Sequence, residues 1–334
     1  MVSLQLESSF HKLAERIRDA GSVLLTTHAG PDGDGLGSVV ALSRALTREG
    51  KRSRILLPDR PADRYAFLDP EQQFLVFQTD RDEAAAESWD LGLVVDTHQP
   101  SQLNGVDTWM QEAGISTLYL DHHPISPGFD REIYGDSSAV AAGCLVYKLL
   151  RDDLRWNIDK EIAEPLYISI SYDTNSFKYL RNDPDALDIC ADLIRRGVDT
   201  TWVYRNLFAS NPLRKARVLG WVLSNMQFHE HGKIAVVSIP YSVIAEHDVE
   251  RDDLREAVTN ILEIDGVEIA TVLKEMSPGD VKISLRSKGN FTINQVAQAM
   301  GGGGHTLAAG CEFQGNTEEA WKDLGPRLLQ VLAR

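Results

Sequence analysis

A chain of 334 residues is long for a single hydrophobic core, so two domains are expected. Its 43% apolar and 25% charged residues are those of an ordinary globular protein, and no apolar run reaches the roughly 18 residues of a membrane span. A net charge of −15 excludes the basic footprint of a protein that wraps long nucleic acid, but not a small anionic substrate whose charge bound cations offset.

Cys144, Cys190 and Cys311 stand singly, which predicts no disulfide framework and fits a reduced, cytoplasmic compartment. The opening MVSLQLESSFHKLAERI is amphipathic and carries acidic residues, unlike a secretory signal. Phe10, Leu13, Ala14, Ile17 and Ala20 form one helical stripe, which Gly21 can end. Ser22–Leu25 reads as a buried strand running into Thr26-Thr27-His28-Ala29-Gly30-Pro31-Asp32-Gly33-Asp34-Gly35, where Gly30, Pro31, Gly33 and Gly35 predict a turn. His28, Asp32 and Asp34 therefore leave the carboxyl end of a strand, where α/β sheets place ligands, and can converge on a divalent cation. Alone, an Asp-Gly-Asp turn is equally well a plain surface loop. Leu36, Val39, Val40, Leu42 and Leu46 predict a helix stopped by Gly50, and Arg54–Leu57 a strand closed by Pro58. This β-α-β unit implies a mainly parallel sheet.

Two further buried-strand runs end in the same way. Asp90–Val95 delivers Asp96, and Thr117–Leu120 delivers Asp121-His122-His123-Pro124. A helix is predicted over 138–150. An apolar segment, Ile162–Tyr172, interrupted by Pro165, ends in Asp173-Thr174. Helices follow over 184–196, 199–208 and 212–226, with Asn211-Pro212 marking a joint and the linker placed at 209–230. Beyond it, Lys233–Ile239, Glu268–Lys274 and Val281–Arg286 read as strands, and Leu254–Leu262, Ile293–Met300 and Thr317–Leu332 as helices. Between the last two helices lies Gly301-Gly302-Gly303-Gly304-His305-Thr306-Leu307-Ala308-Ala309-Gly310, whose glycines let backbone approach a ligand and aim N–H groups at an anion.

His28-x-x-x-Asp32-x-Asp34, Asp96 after its strand, Asp121-His122-His123, Asp173-Thr174 and the Gly301–Gly310 segment occur in an order that closely resembles the DHH phosphoesterase family and its associated carboxyl-terminal domain. The likeness covers nearly the whole chain. In size and domain pair it is most similar to the nanoRNase and pAp-phosphatase branch, which degrades very short oligoribonucleotides and dephosphorylates 3′-phosphoadenosine 5′-phosphate (pAp). The resemblance implies an α/β fold of two domains. A DHH domain over residues 1–208 would hold a mainly parallel sheet flanked by helices. A smaller mixed α/β domain over 231–334 would grip substrate, with the active-site cleft between the two.

It implies two divalent cations, Mn²⁺ before Mg²⁺ or Co²⁺. His28, Asp32 and Asp96 would hold one, and Asp34, Asp96, His122 and Asp173 the other, with Asp96 bridging. Carboxylates plus imidazole suit Mn²⁺, and no cysteine ligand points to structural zinc. Cations about 3.5–4 Å apart would activate a shared water for in-line displacement. His123 would contact the phosphate or assist the leaving group, and Asp121 would orient a histidine. Arg286 would grip phosphate, with Gly303, Gly304 and His305 approaching the nucleotide. The expected partners are short single-stranded RNA of a few nucleotides or pAp, with no membrane and no long nucleic acid; a homodimer is left open.

This sequence departs from the family pattern at Asn175, where glycine is frequent, and at Cys144, where a glutamate is. His98 is an extra imidazole that either tunes the metals or faces solvent, and His229 and His231 read as surface residues. Pyrophosphate, polyphosphate and cyclic or linear dinucleotides remain as alternative substrates. A nucleotide-binding regulatory module that has lost catalysis is the alternative from another class, and the complete ligand set argues against it.

Overall fold

The computed structural model describes residues 2–125, 128–254 and 256–332, with backbone alone for 2–9, 251, 252 and 305. The chain divides into two compact units, Met1–Ser210 and Asn211–Arg334.

The first unit runs α1 (Val2–Asp19), β1 (Ser22–Thr26), α2 (Gly33–Arg48), β2 (Arg52–Leu57), β3 (Leu75–Val76), α3 (Phe77–Ala85), β4 (Leu91–Val95), α4 (Val106–Glu112), β5 (Thr117–Asp121), β6 (Ile133–Gly135), α5 (Ala142–Lys148), α6 (Lys160–Asp173), α7 (Pro184–Arg195) and α8 (Thr200–Phe208). Its six strands are all parallel, in the order β3-β2-β1-β4-β5-β6. Every residue of β1 and β4 is buried, because both faces of the sheet are covered. Val23 and Leu25 face a core built with α1, α2, α5 and α6, while Leu24 faces a second core with α3 and α4. The order reverses between β1 and β4, so the loops after these two strands open a crevice at the switch point. His28, Asp32 and Asp34 follow β1, and Asp96 follows β4.

The expected turn through Gly35 ends sooner in the structure. Asp32 caps α2, its Oδ1 accepting the N–H groups of Asp34 at 3.0 Å and Gly35 at 3.3 Å, so Gly33 and Gly35 belong to the helix. They are glycines for close packing. A Cβ on Gly35 would lie 2.2 Å from Thr27 Oγ1, and one on Gly33 2.6 Å from the Tyr172 ring. Nor does Pro165 interrupt α6. The carbonyl of Glu161, left without its helical donor because Pro165 has no N–H, instead accepts from Arg44 Nη1 at 2.7 Å.

The second unit runs α9 (Leu213–Ser224), β7 (Gln227–His229), β8 (Ile234–Ile239), α10 (Tyr241–Glu246), α11 (Ala257–Leu262), β9 (Ile269–Ser277), β10 (Asp280–Ser287), α12 (Asn294–Ala299), β11 (Gly303–His305), β12 (Ala308–Gln314) and α13 (Thr317–Leu332). Its sheet has the order β11-β12-β10-β9-β8-β7, antiparallel except for β8 and β9. Residues 209–230, which the sequence suggests as a linker, mostly form α9. That helix buries Val218 and Val222 against the second unit's strands, and Arg214 and Lys215 pair with Asp253 and Glu256 at 2.8 and 3.0 Å. His229 is half-buried, its ring 4.9 Å from that of Trp321.

Candidate metal centre

The strand-end residues converge. His28 Nε2 lies 3.6 Å from both Asp32 Oδ1 and Asp96 Oδ2. His122 Nε2 lies 3.3 Å from Asp96 Oδ1, 3.5 Å from Asp34 Oδ2 and 3.8 Å from Asp173 Oδ2. Three overlapping groups can each hold an ion: His28, Asp32 and Asp96; Asp34, His122 and Asp173; and Asp96, His122 and His123. Asp96 belongs to two of them.

The backbone aims these atoms. Asp96 takes a left-handed conformation, φ 68°, which turns its side chain off the strand axis into the crevice. The Nδ1 of His28 sits 3.0 Å from the carbonyl of Ala29, and that of His122 sits 3.1 Å from the carbonyl of Ala139. A carbonyl only accepts, so each Nδ1 carries a proton, and Nε2 is the nitrogen that would offer a lone pair to a cation once its own proton is displaced. Asp34 receives the first amides of α5, Ala142 N–H at 2.9 Å and Gly143 N–H at 3.3 Å, and the Ser169 hydroxyl at 2.5 Å. Its carboxylate is therefore held by backbone and hydroxyl donors, and Cys144 nearby is a buried thiol whose ionisation burial and the Asp34 charge both oppose. Asn175 has φ 47°, and it opens a left-handed turn after α6 at the position where a glycine is frequent; asparagine tolerates that conformation.

The residues present fit a divalent cation. Asp96 Oδ1 is buried and accepts no hydrogen bond. Burial raises the Asp34 carboxyl well above its usual range, with Asp96 and Asp173 adding to it. Burial likewise raises Asp173 to about 6, against the opposing pull of His122. Burial alone would lower His122, but Asp96, Asp34 and Asp173 outweigh it and lift the imidazole to about 10. His28 is raised well above its ordinary value, because Asp32 and Asp96 prevail over burial. Crowded carboxylates and proton-hungry imidazoles both call for positive charge.

Asp121 stands one step back. Its Oδ1 accepts from the His123 ring Nδ1 at 2.8 Å and from the His123 N–H at 3.1 Å, and its Oδ2 lies 2.5 Å from His98 Nδ1. Burial would raise this carboxyl, yet the two imidazoles hold it down at about 2. His123 is partly exposed, its ring 4.3 Å from that of His122. His98 does not face solvent but is 1% exposed. The register of β4 on β5 pairs Val95 with Leu120, so the segment just after β4 lies beside Asp121.

In the second unit, Arg286 lies near the end of β10, opposite Ala308 of β12, with Nη1 donating to the Leu285 carbonyl at 3.0 Å. The glycine run is a β-hairpin strand: Gly303, Gly304 and His305 pair with Gly310, Ala309 and Ala308. β11 is an edge strand, so one side of its backbone has no partner in the sheet. The side chain of His305 lies outside the described residues.

A parallel α/β sheet whose switch point gathers four carboxylates and two imidazoles, followed by a separate mixed-sheet unit, defines a class of phosphate-processing hydrolases. The family model described as DHH family, N-terminal domain, matches residues 22–170, and that described as DHHA1 domain matches residues 231–332. A Thermus thermophilus protein, "Bifunctional oligoribonuclease and PAP phosphatase NrnA", is 31% identical over 94% of this chain and 91% of its own length. A Bacillus subtilis protein of the same description is 24% identical over 87% and 89%. The solved structure of an exopolyphosphatase-related protein from Bacteroides fragilis superposes with a TM-score of 0.89 at 25% identity, covering 97% of this chain and 96% of that one. The chain belongs to the DHH phosphoesterase family, in its NrnA-type branch.

Proposed function

We propose that this protein hydrolyses short oligoribonucleotides to mononucleotides and pAp to AMP, using two divalent cations, preferably Mn²⁺, in a reducing cytoplasm. The observation that carries this reading is Asp96, a buried carboxylate placed within reach of both His28 and His122 and accepting no hydrogen bond at Oδ1. The described activities of the relatives support the choice of substrate.

His28, Asp32 and Asp96 would hold one cation, and Asp34, Asp96, His122 and Asp173 the other. Bound there, the cations supply Lewis acidity, neutralising charge at the phosphate and activating the attacking water. The chain's own residues do the rest. Ser169 and the α5 amides keep Asp34 from rotating, and the Ala29 and Ala139 carbonyls fix which imidazole nitrogen faces the site. With its Nδ1 held by Asp121, His123 would meet the phosphate or pass a proton to the departing oxygen through Nε2. No side-chain nucleophile is required. In the second unit, Arg286 would hold a phosphate through its guanidinium fork, and the free backbone edge at Gly303 and Gly304, with His305, would meet the nucleotide.

The test is hydrolysis by the purified chain with Mn²⁺, offered pAp, a labelled three-residue RNA, a long RNA, pyrophosphate and a polyphosphate. Mononucleotides from the short RNA and phosphate from pAp support the reading. Turnover of pyrophosphate or polyphosphate alone overturns it in favour of inorganic substrates. Nucleotide binding without any turnover overturns it in favour of a regulatory module.

A further inference from the structure

His98 is a buried imidazole for which the proposed chemistry has no task. It follows β4 by three residues, with its ring set edge-on to Phe129 at 5.2 Å between centroids. Phe129 in turn packs edge-on against Tyr119 at 5.1 Å, so the ring of His98 is walled in on that side. Its Nδ1 meets Asp121 Oδ2 at 2.5 Å, while Asp121 Oδ1 takes both the ring and the backbone N–H of His123. Asp121 is 1% exposed, so bulk water does not compete for either oxygen.

A buried carboxylate with one imidazole partner can rock about its terminal torsion, because that torsion is broad. A second imidazole on the opposite oxygen removes this freedom, since any rotation that lengthens one bond lengthens the other. We propose that His98 is a positioning residue: it clamps the plane of Asp121, and through Asp121 it fixes the ring of His123 so that Nε2 is aimed at the oxygen leaving the phosphate. This rests on the reading that His123 serves the leaving group. In that step the oxygen of the attacking water bonds to phosphorus as the bond to the departing oxygen breaks, the His123 Nε2 proton goes to that departing oxygen, and the Nδ1 proton stays on the ring, hydrogen-bonded to Asp121. The proton released by the attacking water restores the balance.

The chain supplies the spacing for this arrangement. β4 and β5 are neighbours in register, so Asp96 and Asp121 end adjacent strands, and a residue two places past Asp96 reaches across to the second strand's end. One strand thus contributes a carboxylate to the metal centre and an imidazole to the support behind it.

The experiment uses the full chain with Mn²⁺ and two substrates that differ in how much they need a proton. A short RNA expels a sugar hydroxyl and needs one; the p-nitrophenyl ester of thymidine 5′-monophosphate expels a phenolate and does not. His98→Leu is expected to lower kcat on RNA by about 10–100-fold, with KM and the p-nitrophenyl rate within about 3-fold of the parent. His98→Asn, whose amide N–H can take the place of Nδ1–H, is expected to recover most of the loss. Equal losses on both substrates would mean that His98 only holds the fold together, and no loss on RNA would mean that the clamp is idle; either result overturns the proposal. His123→Ala is the control on the underlying reading. If it shows no preference between the substrates, the role of His123 is wrong. If it shows the preference and His98→Leu does not, only the clamp is.

Discussion

The two units are expected to meet phosphate with different parts of the polypeptide. In the first, the work falls to side-chain atoms gathered from four segments between His28 and Asp173, and the glycines around them serve helix packing. In the second, a stretch of bare backbone at a sheet edge is offered, and two of the four glycines from Gly301 to Gly304 are fixed by the sheet itself. A Cβ on Gly302 would lie 2.2 Å from the Gly310 carbonyl oxygen, and one on Gly304 2.5 Å from that of Ala308. At Gly303 nothing lies within 4 Å. A residue needed for the atoms it has announces its chemistry. A residue needed for the atoms it lacks leaves open whether a ligand or a neighbouring strand requires the space.

The sharpest way to break this contrast is at Asp96. Asp96→Ala removes the carboxylate common to both histidines and is expected to cut kcat on every substrate by at least about 10³-fold, the scale of losing a preorganised charge at the reacting centre. Without metal the variant should melt no lower than the parent, because it relieves the crowding that raises Asp34 and Asp173. Steady-state rates and thermal unfolding of the two metal-free proteins check both halves. Activity above a tenth of the parent would show that the side-chain centre is not where hydrolysis occurs.

The same contrast explains what the sequence made legible. The parallel sheet is legible because β1, β4 and β5 are apolar runs that deliver Asp or His at their carboxyl ends, and the candidate ligands stand out because few residue types bind a hard cation. The short β3, the three-residue β6 and the helices α3 and α4 carry too few apolar positions to show a period. His98 was ambiguous because its role depends on β4 and β5 being in register, which no local pattern encodes. The left-handed turn at Asp96 was likewise invisible, since aspartate does not advertise a positive φ as glycine does. The glycine run is plain in the sequence but its hairpin is not: a strand of glycine and alanine lacks the branched and aromatic residues by which strands are recognised.

A pair of alanines sharpens the comparison inside the second unit. Gly304→Ala must fit a Cβ against backbone at φ 131° and is expected to destabilise this unit by about 1–3 kcal/mol, in line with other strained backbone positions. Gly303→Ala has open space and should change stability by no more than about 0.5 kcal/mol. If the β11 edge meets the nucleotide, Gly303→Ala will still raise KM severalfold while sparing kcat. Denaturant titration of the two variants beside their Michaelis curves separates the effects. A Gly303→Ala enzyme with unaltered KM would leave the glycines a purely structural explanation.

The smallest effect concerns protons, and it asks whether metal binding is confined to the first unit. In the metal-free protein His122 is held at about 10 and Asp173 at about 6, so near pH 7 the imidazole keeps the proton that a cation must displace. His28, raised in the same direction, adds to this. The sign follows: affinity for Mn²⁺ falls as pH falls, by up to about tenfold per unit for each proton released, and about one to two protons leave per centre filled. Calorimetry in buffers of different ionisation enthalpy counts them. Arg286→Ala should leave both the count and the affinity unchanged, since no residue of the second unit takes part in any of the ligand groups found among the described residues. A changed proton count in that variant would mean that the arginine's charge is felt at the cations, and that the division of labour between side chains and backbone is not a division between the units.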